Sequence, residues 1–198
     1  MGKLRAAHMK VYTRTGDKGK TRIFGGMVAD KDDVRVECNG ILDEALCDIG
    51  VLRTQLSDEH EWQKKLYKIQ VDLMDMMSHV ATHSSNREMN TVNKPLEGPE
   101  ECELWIDDMT AKMDGPHDYF ILPGGNPVSA QCHVIRARIR TAERRLISLH
   151  KVDPVEDFIL KYVNRLSDLF FTMSRYELFV SGYSEEKLRP FIMRFGKK

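Results

Sequence analysis

Five long segments of this chain carry apolar residues at helical spacing, with helix-breaking residues between them. The apolar side chains recur every three or four positions, which places them on one face of a helix. Pro99 and Pro154 stand where a first helical turn needs no amide, and Gly115-Pro116 is typical of a helix end. The five helices that this pattern predicts cover about residues 34–56, 58–82, 97–113, 129–151 and 153–182.

Helices of this length with short connections favour an up-and-down bundle, so we predict one all-α domain. The sequence has no internal repeat, and the one stretch with possible β structure is residues 10–12. We expect the domain to span residues 10–183. Residues 1–9 are then an N-terminal extension or expression scar, and residues 184–198 a C-terminal tail.

The charge balance limits the partners that this chain can have. Its 30 basic and 30 acidic residues give a formal net charge of zero, whereas a protein that grips nucleic acid normally carries a basic excess. No apolar run in the sequence reaches the length that a membrane span needs. The four cysteines are widely spaced, which is typical of reduced thiols. We therefore expect a cytoplasmic protein without a nucleic-acid or membrane partner.

A glycine-containing turn lies just before the first predicted helix. Within residues 13–21, Gly16 and Gly19 stand among hydroxyl, lysine and arginine side chains. Glycines let backbone amides turn toward an anion, and the polar side chains supply further donors. The segment is not a P-loop, because that motif has four residues between its glycines and this one has two. The residues alone leave two interpretations open, a phosphate-binding loop and a solvated turn.

The fourth predicted helix has a face of nearly single-signed charge. Five arginines fall within ten residues, and Glu143 is the one carboxylate among them. An arginine side chain can bind two phosphate oxygens at once, in a bidentate manner. A face of nearly single-signed charge therefore favours a triphosphate ligand over a solvated surface, although both interpretations fit the composition. The residues that share the face at helical spacing are His133, Arg136, Arg140, Glu143 and Arg144.

Polar residues inside the other helices allow more than one interpretation. Asn164 lies in an apolar helix, where it could bind a ligand or tie two helices together. Asp43 could be a surface charge or could pair with the arginines across a subunit boundary. His79 and His83 have the i, i+4 spacing of metal ligands. A metal site is nevertheless disfavoured, because Val80 stands where a metalloprotease has Glu and no E-x-x-H motif occurs.

Taken together, these motifs resemble the PduO-type ATP:cob(I)alamin adenosyltransferases. The resemblance runs from Lys10 to about Tyr183 and rests on five motifs in the order that this family shows. Five motifs in order are more specific than any one of them. They are Tyr12-Thr13-Arg14-Thr15-Gly16-Asp17-Lys18-Gly19, Gly40-Ile41-Leu42-Asp43-Glu44, Phe120-Ile121-Leu122-Pro123-Gly124-Gly125, Arg140-Thr141-Ala142-Glu143-Arg144 and Asn164-Arg165-Leu166-Ser167-Asp168.

The resemblance implies a ferritin-like five-helix bundle with an N-terminal ATP-binding loop, assembled as a homotrimer with active sites between subunits. Phe120 would lie against the corrin and help exclude the lower axial ligand of cobalt. Asp43 would pair with Arg136 of a neighbouring subunit, and Arg140 would act on the triphosphate. The residues that would wrap ATP, by matching position, are Thr13, Arg14, Thr15, Gly16, Asp17, Gly19, Thr21, Arg22, Lys31, Arg140, Glu143, Arg144 and Asn164.

The implied reaction transfers the 5′-deoxyadenosyl group of ATP to cob(I)alamin and releases triphosphate, with Mg²⁺ accompanying the phosphates. Because reduced cobalt is the nucleophile, no activated Ser or Cys is needed, and the sequence has no evident nucleophile–base pair. Arg14 and Thr141 depart from the family pattern, which commonly has Lys and a second Arg there. The alternative is a non-catalytic corrinoid or nucleotide escort on the same bundle. Hand-over of the cofactor to an adenosylcobalamin-dependent enzyme is a further expectation.

Overall fold

The computed structural model describes residues 12, 14–113 and 119–190 of the chain. Five long helices dominate it, which confirms the predicted fold class. The helices are α1 (Val34–Thr54), α2 (Trp62–Ala81), α3 (Gly98–Lys112), α4 (Pro127–His150) and α5 (Asp157–Val180). The strands are β1 (Lys20–Arg22), β2 (Val28–Asp30), β3 (Tyr119–Ile121) and β4 (Lys187–Pro190). Short 3-10 turns cover Phe24–Gly26 and Ser84–Met89.

The bundle is organised around α4, which packs against α1 on one side and α5 on the other. Helix α2 packs on α1, and α3 packs on α5. Each helix contributes fully buried apolar side chains to one continuous core, and burying a side chain of this size stabilises the fold by about 1.5–3 kcal/mol. Core residues that represent the five helices in order are Leu42, Leu73, Met109, Ile139 and Phe170.

Two helices begin where polar side chains satisfy free amides. The Asp33 carboxylate accepts a hydrogen bond from the Arg35 amide at 2.8 Å before α1, and the Asn126 side chain accepts one from the Ser129 amide at 2.8 Å in α4. The predicted start of the fifth helix at Asp153 was wrong, because α5 begins at Asp157. The carboxylate of Asp153 binds other parts of the chain instead of capping a helix.

Asp153 belongs to a buried polar cluster. Its carboxylate forms an ion pair with Arg35, both side chains being less than 10% exposed, and accepts a hydrogen bond from the Ser84 amide at 3.1 Å. Arg35 also donates to the backbone carbonyls of Val80 and Thr82 at the end of α2. The cluster therefore joins the start of α1, the end of α2 and the connection between α4 and α5.

The four strands form two antiparallel pairs. In the N-terminal ribbon, β1 pairs with β2 and Thr21 lies opposite Ala29. In the C-terminal ribbon, β3 pairs with β4 and Phe120 lies opposite Arg189. Strands of three or four residues are too short to show alternation in the sequence, and β4 falls in the segment assigned above to a tail. Of the stretch 10–12, residues 10 and 11 lie outside the described residues.

Candidate active site

The glycine turn predicted to bind phosphate folds around the side chain of Lys31. Hydrogen bonds from the Gly19 amide to the Gly16 carbonyl (3.2 Å) and from the Lys31 amide to the Gly19 carbonyl (2.9 Å) close the turn. A Cβ at Gly16 would lie 3.3 Å from Cε and Nζ of Lys31, so the ammonium sits directly against this turn. Gly19 and Arg14 have left-handed backbone, with φ of 76° and 60°. The turn thus presents a cation beside backbone amides, which suits an anion.

The remaining loop residues lie around this turn or outside the described part of the chain. Thr13 lies outside the described residues. Gly16 and Thr21 are partly buried. The exposed members of the predicted set are Arg14, Thr15, Asp17, Gly19, Arg22 and Lys31.

A cavity of about 330 Å³ lies between the N-terminal ribbon, the start of α1 and the end of α2. Thr21 and Arg22 of β1 form one wall, and Val36 and Asn39 of α1 form another. The side-chain oxygen of Asn39 is buried and has no hydrogen-bond partner among the described residues. Apolar side chains complete the lining, so the space combines apolar walls with a few polar groups, as small-molecule pockets do. Its other lining residues are Ile23, Phe24, Arg35 and Ala81.

The arginines of α4 divide into two groups. Arg138 contacts Glu44 (2.6 Å) and Asp48 (3.4 Å) of α1, and Arg145 contacts Glu37 at 3.0 Å. These two cations are therefore neutralised inside the chain, which the sequence analysis did not anticipate. The signal was present, since Arg138 and Arg145 are seven residues apart, as are Glu37 and Glu44.

The other three arginines of α4 have no carboxylate partner among the described residues. Arg144 donates to the Thr141 hydroxyl at 3.0 Å. Arg136 and Arg140 lie one turn apart on α4, and burial together with the positive charge of Arg140 lowers the pKa of Arg136 below its usual value. This group, which we call the arginine face, consists of Arg136, Arg140 and Arg144.

His133 adds no charge to the arginine face at neutral pH. Burial and the positive charge of Arg136 lower the pKa of His133 to about 4. Its ring packs edge-on against Phe171, with centroids 6.2 Å apart. The positive potential of this face therefore comes from guanidinium groups alone.

Asn164 and Glu143 connect the arginine face to α5. The side-chain amide of Asn164 donates to Glu143 at 3.0 Å, so Asn164 does tie two helices together. Both residues are partly buried, whereas Arg140 and Arg144 are exposed. Glu143 is thus engaged by α5, and it forms no ion pair with Arg136, Arg140 or Arg144 in the described part of the chain.

The arginine face points away from α1. At roughly 100° per residue, Arg136, Arg140 and Arg144 lie about 160–240° around the helix from Arg138, which contacts α1. The loop cavity, in contrast, is walled by α1 and α2. Within one chain, the glycine turn and the arginine face are thus on different sides of α4.

Asp43 and Phe120 also lie at exposed positions. Asp43 makes no ion pair within the described part of the chain, so it does not bind Arg136 of its own chain. Phe120 lies on β3 and is 45% exposed. The following turn packs closely on α5, since a Cβ at Gly125 would lie 2.4 Å from Leu178.

The two histidines with metal-ligand spacing make other contacts in the structure. His79 is buried, and its Nε2 lies 3.1 Å from the carbonyl oxygen of Val92. Across residues 12, 14–113 and 119–190, no three His, Cys, Asp or Glu side chains come together in a way that could hold a metal ion. In the same residues, no helix is long and apolar enough to cross a membrane.

The sequence matches a known family over most of its length. The family model for cobalamin adenosyltransferase matches residues 11–177. The chain belongs to the cobalamin adenosyltransferase family. Members with similar sequences include corrinoid adenosyltransferase MMAB of Mus musculus, which is 39% identical over 90% of this chain and 76% of that protein. Corrinoid adenosyltransferase of Citrobacter freundii is 36% identical over 85% of this chain and 94% of that protein.

Solved structures of the cobalamin adenosyltransferase family have the same fold. A Phe-to-Ala variant of the PduO-type ATP:corrinoid adenosyltransferase from Lactobacillus reuteri, complexed with cobalamin and ATP, superposes with a TM-score of 0.85. It is 30% identical and covers 91% of this chain and 99% of its own. An Arg-to-Lys variant of that enzyme, complexed with ATP, gives a TM-score of 0.84 at 31% identity, over 91% and 100% of the two chains. These comparisons confirm the resemblance and the fold inferred from the sequence.

Proposed function

We propose that this protein transfers the 5′-deoxyadenosyl group of ATP to the cobalt of a reduced corrinoid and releases triphosphate. Family membership supports the reaction, as do the related structures complexed with cobalamin and ATP. The observation in this chain that carries the proposal is the arginine face, three guanidinium groups without carboxylate partners among the described residues. Such a face needs a polyanion, which a triphosphate supplies.

For this reaction the protein must position the two substrates and stabilise the charge on the leaving triphosphate, and it need not supply a nucleophile. The electron pair of Co(I) forms the new bond to C5′ of ATP, and the bond between C5′ and the triphosphate oxygen breaks. Holding C5′ in line with cobalt turns an encounter into an intramolecular step. Cations fixed at the departing triphosphate stabilise its growing charge and need no reorganisation during the reaction. Lys31 and the arginine face are the cations that we assign to this task.

We propose that each active site forms between two copies of the chain in a homotrimer. The support is geometric, because the glycine turn and the arginine face of one chain lie on different sides of α4 and a second copy is needed to bring them together. Asp43 would then pair with Arg136 of the neighbouring copy, which accounts for an exposed carboxylate and a partly buried guanidinium that have no ion-pair partner among the described residues of their own chain. The apolar cavity beside Thr21 offers space for the nucleoside.

Each predicted site residue keeps a specific role in this proposal. Lys31, the amides of the glycine turn and the arginine face would hold the phosphates. Glu143 and Asn164 would fix the arginine face through their mutual hydrogen bond. Phe120 would lie against the corrin, where an apolar ring offers cobalt no donor atom. The loop residues assigned to ATP remain Thr13, Arg14, Thr15, Gly16, Asp17, Gly19, Thr21 and Arg22.

Mg²⁺ would arrive with the nucleotide rather than in a protein-built cage. The described residues group no three carboxylate, histidine or cysteine side chains, so they do not fit a resident metal. A cytoplasmic location and hand-over of the product to an adenosylcobalamin-dependent enzyme are also proposals, and the former is supported by four free cysteines. An escort for corrinoid alone would have no use for the arginine face, which is why catalysis is preferred.

One assay tests the proposed reaction. The protein is mixed with ATP, Mg²⁺ and chemically reduced cob(I)alamin, and the alkyl-cobalt product is followed by its absorption spectrum while triphosphate is quantified. We expect equal amounts of the two products. Binding of both substrates without product would favour the escort, and binding of neither would overturn the assignment.

A further inference from the structure

The strand that carries Phe120 depends on a segment far away in the sequence. Among the described residues, β3 pairs with β4, in a register that places Phe120 opposite Arg189 and Ile121 opposite Lys187. The register is irregular between Phe120 and Ile121, and the Leu122 amide continues the pairing to the Glu186 carbonyl at 2.9 Å. A two-stranded ribbon this short is at best marginally stable in water by itself. It therefore needs support from the bundle.

A mostly buried ion pair provides that support on the β4 side. Arg175 of α5 contacts Glu185, two residues before β4, through two of its guanidinium nitrogens. The two side chains are only 13% and 17% exposed. A pair this buried is sensitive to the loss of one partner, because the remaining charge is left without compensation.

Contacts on the β3 side end on the same part of α5. Gly125 follows β3 and leaves no room for a Cβ beside Leu178. Asn126 donates to the Glu177 carboxylate at 2.8 Å while it caps α4. Both strands of the C-terminal ribbon are thus anchored to residues 175–178 of α5, at the end of the ribbon where β3 finishes and β4 begins. The position of Phe120 is set by these anchors, since β3 has three residues.

We propose that Arg175 and Glu185 are positioning residues for the cobalt step, because their ion pair holds β4 against β3 and so fixes where Phe120 stands. The inference rests on the proposed function through the role of Phe120 at the corrin. Neither residue touches a reacting atom in this account. Loss of the ion pair lets β4 separate from β3, and Phe120 then no longer excludes the axial base from cobalt. ATP binding, which uses the turn near Lys31 and the arginine face, is unaffected.

The test uses the full chain with Glu185→Gln, which keeps the size of the side chain and removes its charge. Bound cob(II)alamin is examined by absorption and electron paramagnetic resonance spectra, which report whether the lower axial base is displaced. We expect the displaced fraction and the rate from Co(II) with a reductant to fall about tenfold, a change of about 1.4 kcal/mol. We expect the Kd for ATP to stay within about twofold of wild type. Arg175→Lys, which keeps the charge, should retain more of the signal than Arg175→Gln.

Glu103→Gln is the matched control. Glu103 also pairs with an arginine of α5, Arg165, at 2.8 Å, but this pair is exposed and lies far along the helix from the ribbon. The Glu103→Gln substitution should leave the cobalt spectra unchanged. Melting temperatures of all variants show whether each one is folded.

Each outcome decides one question. A wild-type spectrum in Glu185→Gln, with an altered one in Phe120→Ala, overturns the positioning role and leaves the proposed function intact. An unaltered spectrum in Phe120→Ala removes the corrin role of Phe120 and this proposal with it. Equal losses in ATP affinity and in the cobalt signal would show a general structural role and would also overturn it. Absence of adenosyl transfer by the wild type contradicts the proposed function itself.

Discussion

The two ribbons of this protein are built from strands of similar length but are held together in different ways. In the N-terminal ribbon, β1 and β2 are neighbours in sequence, joined by the turn at Phe24–Gly26, and an exposed ion pair between Lys20 and Asp30 crosses them. In the C-terminal ribbon, β3 and β4 are separated by two entire helices. A local hairpin closes a short loop at little entropic cost, whereas a distant pair needs anchors on the bundle.

The N-terminal ribbon has its own anchor in the buried cluster at Asp153. The turn at Ser84–Met89, which Asp153 holds through the Ser84 amide, contacts the ribbon through Asn86 and the sulfur of Met27 at 3.5 Å. Arg35, the other partner of Asp153, lines the cavity beside Thr21. Each ribbon is therefore connected to an ion pair of the bundle: the N-terminal ribbon to Arg35–Asp153 through the turn at Ser84–Met89, and the C-terminal ribbon to Arg175–Glu185 directly before β4.

The largest effect should come from Asp153→Asn, which leaves the guanidinium of Arg35 buried without its counter-charge. We expect the free energy of unfolding to fall by about 3–5 kcal/mol, measured by urea denaturation at one fixed protein concentration. Exposed Glu103→Gln should change it by less than about 1 kcal/mol. Equal losses in these two variants would show that burial of the Arg35 pair is unimportant.

Arg140→Ala tests the role of the arginine face in the use of ATP. Removal of one cation from the arginine face should lower kcat/KM for ATP by about 10²–10³-fold, the range seen when one transition-state donor is lost. Affinity for cob(II)alamin should change little. Arg145→Ala is the matched control, because Arg145 is neutralised by Glu37. Similar losses in both variants would contradict the division of the arginines into two groups.

Phe120→Ala tests the proposed role of Phe120 at the corrin. The side chain is 45% exposed, so the free energy of unfolding should change by about 0.5 kcal/mol or less. We expect turnover from cob(II)alamin and a reductant to fall by at least about tenfold, with a smaller loss when cob(I)alamin is supplied already reduced. The ratio of the two rates is the measurement. An unchanged ratio would mean that Phe120 does not act at the axial base.

The helices could be predicted because their signals are local. Apolar periodicity, Pro99 in the first turn of α3 and the Gly115-Pro116 pair all act within a few residues. The start of α5 was missed because Asp153 is engaged by Arg35, 118 residues earlier, and that contact exists only in the folded chain. The C-terminal ribbon was missed for the same reason. Its strands have no pattern of their own, and the Arg175–Glu185 pair that holds them is formed by tertiary packing.

The candidate site could be predicted in part. The motifs brought Arg140, Arg144 and Lys31 to attention, and the structure leaves these cations without carboxylate partners among the described residues. Helical spacing already set these arginines apart from Arg138 and Arg145, but it did not show that α1 neutralises those two, since that requires knowing which side of α4 faces α1. Nor did it show that the glycine turn and the arginine face of one chain point in different directions.

Gly19, directly before β1, and Gly125, in the turn after β3, offer a matched test of how tightly the two ribbons are packed. Gly125→Ala should cost about 2–4 kcal/mol of unfolding free energy, because the left-handed backbone is strained and the methyl group would lie 2.4 Å from Leu178. Gly19→Ala has a similar left-handed φ but nothing within 4 Å, so we expect about 1–2 kcal/mol. Denaturant titration of both variants gives the difference. Equal costs would mean that the turn after β3 can move away from α5.

The smallest expected effect is a pH dependence of the unfolding free energy that comes from Asp153, in the cluster connected to the N-terminal ribbon. Burial raises the pKa of Asp153, but hydrogen bonds from Ser84 and Arg35 outweigh it, so the pKa lies below its ordinary value. A carboxyl group whose pKa is lowered by folding stabilises the protein above its unfolded pKa, near 4, and loses that contribution as the pH falls further. The difference in unfolding free energy between wild type and Asp153→Asn should therefore be constant from about pH 7 to pH 5 and shrink below about pH 4. A gap that widened in acid would show that Asp153 is not held as a carboxylate, and the N-terminal ribbon would then need another anchor.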